Sequence, residues 1–331
     1  MANLRAGVIG IGSMGRHHVR VLRELDGVDL VAVADAGGDR FGVAAPLAVL
    51  DTVEDFAAAG LDLAVVAVPT AHHEPVAVRL AAAGVAALVE KPVADSAAAA
   101  QRLQDVFAAA GVLGCVGHVE RFNPAIAELR RRVQRGDLGE VYQITTRRQS
   151  PFPGRIADVG VVKDLASHDI NTAAWIAGSD YAEVAAQVAH RTGRPHEDMV
   201  SVTGRFASGV LVNHLVNWLT PFKERITAVT GERGTMIADS LNVTLTFWAN
   251  GSVPTEWEPL RQFRGVSEGD VIRYALATRE PLRAEDEAFR DAVLGQRDDA
   301  VPLADGVATL RVAEAVLQAA RDHAVIALPA A

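Results

Sequence analysis

Short apolar runs that end in glycine or a polar residue alternate with segments of helical period through the first third of the chain. Residues 5–12, RAGVIGIG, predict a strand running into a glycine turn. Residues 15–25, GRHHVRVLREL, predict a helix, and residues 29–35, DLVAVAD, a second strand. The rhythm then repeats. Residues 61–69 predict a buried strand, about 74–83 a helix, 86–89 a strand, 95–110 a helix capped by Asp95 or Ser96, and 112–116 a strand. Strands that are apolar throughout suit a parallel sheet covered on both faces. The predicted class is therefore α/β, with a first, Rossmann-type domain over 1–118.

The pattern changes afterwards. Residues 124–136, PAIAELRRRVQRG, predict a helix, and period-two alternation then dominates: 141–148, 182–190, 200–206, 210–216, 226–230 and 243–248 predict strands separated by glycine turns. A helix over 164–176 precedes most of them. A second α/β domain over 119–331 follows, built on a large, open, mostly antiparallel sheet; a helix over 303–320 is expected to pack back on the first domain.

Composition narrows the class. The chain has 331 residues, 50% of them hydrophobic and 22% charged, with 32 basic against 41 acidic side chains and a net charge of −9. Such a mixture predicts an ordered protein of two domains and argues against a nucleic-acid or anionic-membrane partner. Cys115 is the one cysteine, so neither an intrachain disulfide nor a cysteine-rich zinc site can form. No apolar run approaches the roughly 20 residues of a membrane span, and residues 1–10 do not read as a secretory segment, so a cytoplasmic location is expected.

Gly10-Ile-Gly12-Ser-Met-Gly15 matches GxGxxG between a predicted strand and a predicted helix. Gly10 allows the tight turn, Gly12 lets a pyrophosphate approach the backbone, and Gly15 lets the helix pack closely; Ser13 and Met14 complete the cofactor turn. Asp35 follows the last glycine by 20 residues and suits the ribose hydroxyls of NAD, whereas a 2′-phosphate would be repelled. Arg40 would weaken that preference if it turned toward the ribose.

Glu90-Lys91-Pro92 lies beyond the 86–89 strand, where a parallel sheet presents ligand-binding groups. Lys91 there can orient a hydroxyl and relay its proton, although a lysine before a turn proline is also a common surface feature. Asp164 and His168 stand four apart and would share a helix face. Neutral His168 could accept a hydroxyl proton as hydride leaves the same carbon, with Asp164 orienting it, or the two could be an ordinary surface pair. Lys91 would complete an acid–base cluster at the domain junction.

With these residues in order, the sequence resembles the glucose-fructose oxidoreductase and inositol dehydrogenase (Gfo/Idh/MocA) family over nearly its full length, through Gly10–Gly15, Asp35, Pro69, His73, Glu90-Lys91-Pro92, Asp164, His168 and Asp305-Gly306. The resemblance implies a nicotinamide in a cleft between the domains, Lys91 and His168 as principal catalytic positions, Asp164 at the reacting sugar or cyclitol hydroxyl, and Pro69, His73 and Glu90 at the cofactor. It also implies a cis Lys91–Pro92 bond, which sequence chemistry alone does not choose.

Residues 117–124, 151–156 and 158–164 are similar to those of UDP-N-acetylglucosamine 3-dehydrogenases, which implies oxidation at C3 to a 3-keto nucleotide sugar and NADH. On that resemblance Glu120, Arg121 and Asn123 reach the substrate rim, and Arg121 or Arg155 meets a diphosphate; either arginine could instead brace a loop. Lys163 stands where an apolar residue is expected, and either contacts a phosphate or faces solvent. A free cyclitol such as inositol, or reduction of a keto sugar, is the alternative chemistry.

His17-His18 and His72-His73 form no compact ligand set, so no metal is expected. Aromatic residues are only 5% and are not interleaved with a basic patch, which argues against nucleic-acid stacking. A noncatalytic NAD sensor would share the glycine turn and Asp35 but has no use for Lys91, Asp164 and His168. An exposed sheet face in the second domain predicts a homodimer or homotetramer.

Overall fold

Strands β1 (Leu4–Ile9), β2 (Val28–Ala34), β3 (Val49–Leu50), β4 (Leu63–Val66), β5 (Ala86–Glu90) and β6 (Gly114–Gly117) form a parallel sheet in the order β3-β2-β1-β4-β5-β6. The structure is a computed structural model that describes residues 3–154, 159–251 and 268–329. Its chain divides into two units, Met1–Phe122 with Glu280–Glu314, and Asn123–Arg279 with Ala315–Ala331.

In the first unit, alternate strand residues point to opposite faces, and each face has its own core. Ile9, Val66 and Val89 pack with Phe56, Leu80 and Leu103, from helices α2 (Val53–Ala57), α3 (His73–Ala82) and α4 (Ala97–Ala110). Leu303, Val307 and Leu310 join this core. Val8, Val65 and Leu88 on the other face pack with Val19 and Leu22 of α1 (Gly15–Glu24) and with Phe289. Ser96 caps α4 by accepting the Ala99 N–H at 3.2 Å, and Gly111 ends it in the left-handed region at φ 64°. Strand order reverses between β1 and β4, the point at which such sheets open a ligand crevice.

The second unit holds α5 (Pro124–Gln134), α6 (Ser167–Ala177) and a nine-stranded sheet of the described residues. Its strands are β7 (Val141–Pro151), β8 (Tyr181–Ala189), β9 (Met199–Phe206), β10 (Leu211–Asn217), β11 (Leu219–Gly231), β12 (Gly234–Asp239), β13 (Thr244–Asn250), β14 (Glu268–Tyr274) and β15 (Ile326–Ala327). They run in the order β14-β13-β12-β11-β7-β10-β9-β8-β15, and every pairing is antiparallel except β7 with β10. One face buries Ile144, Val202, Val212, Val229 and Met236.

The sequence reading did not include β3, α2, β14 or β15, and three further differences bear on the elements around the site. The helix predicted over 164–176 begins instead as a π-helical turn, Val162–Ala166, closed by the Ser167 N–H on the Val162 carbonyl, before α6 starts. Asp164 therefore precedes the α-helix that carries His168, and the α-helical spacing argument does not apply to it as made. An unpredicted helix, α7 (Pro281–Val293), supplies Phe289 to the core on the α1 face of the parallel sheet. Strand β11 extends well before 226: Leu219 pairs with Pro151 and Glu224 and Arg225 with Gln149 and Arg148 of β7, across an irregular register between Leu219 and Glu224. The last long helix, α8, spans Leu303–Asp322.

Candidate active site

The glycine turn between β1 and α1 has no room for side chains at two positions and open space at the third. A Cβ on Gly15 would lie 1.8 Å from the Gly10 carbonyl oxygen, and one on Gly10, at φ +85°, would lie 2.6 Å from the Ala67 carbonyl carbon. A Cβ on Gly12 would meet no atom within 4 Å, so the turn is open where a pyrophosphate approaches. Met14, at the start of α1, makes no side-chain cap; the Arg16 N–H donates to the Gly12 carbonyl at 3.3 Å and the His17 N–H to the Met14 carbonyl at 2.8 Å, and Ser13 is exposed beside them. Asp35 is held at the tip of β2 by the Ile11 N–H on Oδ2 at 2.9 Å and the Gly37 N–H on Oδ1 at 2.7 Å. A carboxylate accepts further hydrogen bonds at each oxygen, so the ribose hydroxyls can still be held. Arg40 lies over Gly37, with Nη2 2.7 Å from where a Cβ would stand.

Lys91 follows β5 in the same unit, through a cis bond to Pro92. Glu90 is buried and accepts the Lys91 backbone N–H on Oε2 at 3.0 Å. His73 bridges two carbonyls, with Nδ1 2.9 Å from the Pro92 oxygen and Nε2 2.8 Å from the Val68 oxygen. Burial keeps its pKa below the ordinary imidazole value although both carbonyls favour the cation, so neutral His73 donates to one of them at a time. This ring ties the stretch before Pro69 to the turn after Lys91.

Beyond β6, His118 is buried, and among the described residues neither ring nitrogen has a hydrogen-bond partner. Burial, then the charges of Arg121 and Lys91, hold its pKa well below the usual value. Arg121 pairs with Asp305 at 2.6 Å, and Glu120 is buried beside it in sequence.

In the second unit, Asp164 is buried in the π-helical turn, and Lys163 and His168 are half-buried. The turn is anchored where Val162 N–H meets Glu197 Oε1 at 3.0 Å. Gly160 makes room for that carboxylate, since a Cβ there would sit 2.0 Å from Glu197 Oε1. Asn123 accepts the Ala125 N–H at 3.0 Å, capping α5, and donates to the Ser240 carbonyl at 2.9 Å. The Arg194 guanidinium stacks 4.0 Å over Phe152 and 5.1 Å from the centre of Trp218. Arg155 lies outside the described residues.

Two family descriptions match the chain: "Oxidoreductase family, NAD-binding Rossmann fold" over residues 4–118, and "GFO/IDH/MocA C-terminal domain" over residues 126–237. The UDP-N-acetylglucosamine 3-dehydrogenase of Acidithiobacillus ferrooxidans is 30% identical over 96% of each chain. The chain belongs to the GFO/IDH/MocA oxidoreductase family. Inositol 2-dehydrogenase 4 of Saccharopolyspora erythraea is another relative, 30% identical over 83% of this chain and 86% of its own. A solved UDP-N-acetylglucosamine 3-dehydrogenase from Acidithiobacillus ferrooxidans superposes with a TM-score of 0.84, at 26% identity, over 97% of this chain and 99% of that one.

As a GFO/IDH/MocA member the chain is an NAD-binding oxidoreductase. Its first unit brings together Gly10, Gly12, Gly15 and Asp35 around one turn, and Glu90, Lys91, Pro69 and His73 around another. His118 was not singled out in the sequence, where it reads as one more residue after a strand; its isolation in a buried setting is visible only after folding. Among the described residues no group of three His, Cys, Asp or Glu side chains is arranged to hold a metal, and no helix is long and apolar enough to cross a membrane.

Proposed function

We propose that the chain is an NAD-dependent dehydrogenase of a sugar or cyclitol secondary alcohol, and that its substrate is UDP-N-acetylglucosamine, oxidised at C3. The similarity that carries this reading is the one to UDP-N-acetylglucosamine 3-dehydrogenase, which extends over 96% of each sequence. The chain's own Gly117–Pro124 segment supports it.

NAD, bound at the glycine turn and Asp35, supplies the acceptor for the hydride that leaves the carbinol carbon. His168, on α6, takes the hydroxyl proton. Asp164 orients the reacting hydroxyl, and Lys91 hydrogen-bonds to it and stabilises the developing alkoxide. Neutral His118, with two uncommitted ring nitrogens, offers one further polar contact near Lys91.

Arg121 is committed to Asp305 and acts as a brace in this reading, so a diphosphate would call on Lys163 or Arg155. The exposed side chains of Leu211, Leu215, Trp248 and Val271 make one sheet face an interface between copies, as a dimer or tetramer. Light scattering tests that assembly: a concentration-independent monomer mass rejects it.

The relatedness to inositol 2-dehydrogenase 4 favours a second reading, oxidation of a free cyclitol. The test is NAD reduction followed at 340 nm across UDP-N-acetylglucosamine, other nucleotide sugars and myo-inositol, with products identified by mass spectrometry and NMR. Turnover of the nucleotide sugar to a 3-keto product supports the first reading. Turnover of inositol alone replaces it with the second, and NAD binding without turnover of any alcohol points to keto-sugar reduction or a sensor.

A further inference from the structure

Behind the Lys91 turn lies a buried chain of ionisable groups that the reaction above leaves unused. His18, on the inward face of α1, is fully buried. Its Nδ1 lies 2.9 Å from Asp286 Oδ1 on α7, a residue 268 positions away, and its Nε2 lies 3.1 Å from Glu90 Oε1. The other oxygen of Glu90 accepts the Lys91 backbone N–H. One imidazole thus connects the helix of the cofactor turn, helix α7 and the residue that anchors Lys91.

The charges are consistent with that geometry. Burial opposes protonation of His18, but Asp286 and Glu90 outweigh it and raise its pKa well above the ordinary value. Burial likewise opposes ionisation of Glu90, and His18 with Lys91 brings its pKa below the carboxylate norm. Glu285, next to Asp286, is buried, neither of its carboxyl oxygens is hydrogen-bonded among the described residues, and burial with repulsion from Glu90 pushes its pKa well up. Burial raises the pKa of Asp286 even against the pull of His18, whereas that of Glu90 is lowered, and the two side chains hold the ring from opposite nitrogens. A buried imidazolium with both N–H groups donated to carboxylates is held in one orientation.

We propose that His18, clamped between Asp286 and Glu90, is a positioning residue for Lys91: it fixes the carboxylate that holds the Lys91 backbone at the end of β5. A surface histidine three residues after the glycine turn would do nothing of the kind. The proposal rests on the assignment of Lys91 to the reaction, and its test contains one readout that does not.

The readouts are backbone amide exchange at Lys91 by NMR and steady-state kinetics, on the full chain and four variants. His18→Gln is expected to speed exchange of the Lys91 amide about tenfold or more, with the Ala86–Val89 amides still protected. It should lower kcat about 10²-fold, as misplacement of a catalytic group does, with KM and NAD affinity nearly unchanged. Asp286→Asn keeps an acceptor for the Nδ1–H and should lose far less. Adding His18→Gln to Glu90→Gln should cost nothing further, because the two act in series.

Unchanged exchange at Lys91, or faster exchange in equal measure along the whole of β5, overturns the proposal; so does a full additive loss in the double variant. If the unaltered chain turns over no alcohol tested, the substrate reading is at fault, and amide exchange alone decides whether His18 holds the turn.

Discussion

The Arg148 guanidinium Nε lies 3.1 Å from each carboxylate oxygen of Asp169, the residue that follows His168. Both side chains are buried, and the pair ties strand β7 to the first turn of helix α6. Replacing Arg148 by Met leaves a buried carboxylate without this partner, which costs about 3–5 kcal/mol. Chemical denaturation should show that loss. Arg148→Met combined with Asp169→Leu should recover much of it, because no charge is then stranded.

His168→Ala removes the proposed base without touching the glycine turn. Turnover should fall by about 10²–10⁴-fold, the usual contribution of a positioned base. NAD affinity, read by titration calorimetry, should stay within about twofold of the unaltered protein, since His168 is assigned to the alcohol. Retention of full turnover would remove His168 from the mechanism.

Gly12 and Gly15 should separate cofactor binding from folding. A Cβ on Gly12 meets nothing within 4 Å, whereas one on Gly15 lies 1.8 Å from the Gly10 oxygen. Gly12→Ala should therefore keep the melting temperature while weakening NAD binding, because its methyl group occupies the space open to the pyrophosphate. Gly15→Ala should lose both, with an overpacking cost of about 1–3 kcal/mol or more. Equal melting temperatures for the two variants would contradict the clash.

His214 should make the fold acid-sensitive. It is buried between the Thr146 hydroxyl, 2.7 Å from Nδ1, and the Tyr181 hydroxyl, 2.8 Å from Nε2. Burial lowers its pKa from 6.5 to about 3. An unfolded chain takes up this proton as pH drops below 6.5 and the folded chain does not until about 3, so the stability is present above that window and lost as pH falls through it. The size is on the order of a few kcal/mol. Unfolding free energies from pH 7 to pH 4 should fall accordingly, and His214→Gln, less stable at pH 7, should show a shallower fall.

The glycine turn of Gly10, Gly12 and Gly15 and the strand-end position of Asp35 were legible from their spacing within a predicted strand, helix and strand, inside the stretch that matches an NAD-binding Rossmann fold. Their placement depends on local backbone geometry: a left-handed φ at Gly10, a helix start at Gly15, a strand end before Asp35. The parallel and antiparallel sheets were legible for a similar reason, since continuous apolar runs and period-two alternation follow directly from burial on two faces or one. Local code extended to the helix cap, read as Asp95 or Ser96 and made by Ser96.

Long-range pairings were invisible in the same residues. His18 reads as half of a His-His dipeptide until Asp286 arrives from 268 positions downstream, on a helix whose charged sequence gave no sign that Glu285 and Asp286 would be buried. Asp164 reads as α-helical because propensity does not distinguish an α turn from a π turn; the extra residue in the ring is set by the packing around Val162 and Glu197. Sequence by itself determined the local elements, their faces and the cofactor motif, because those depend on neighbours within a few residues. Tertiary structure alone decided which charges are buried together and which polar groups brace Lys91, because those energies depend on desolvation by segments far apart in the chain.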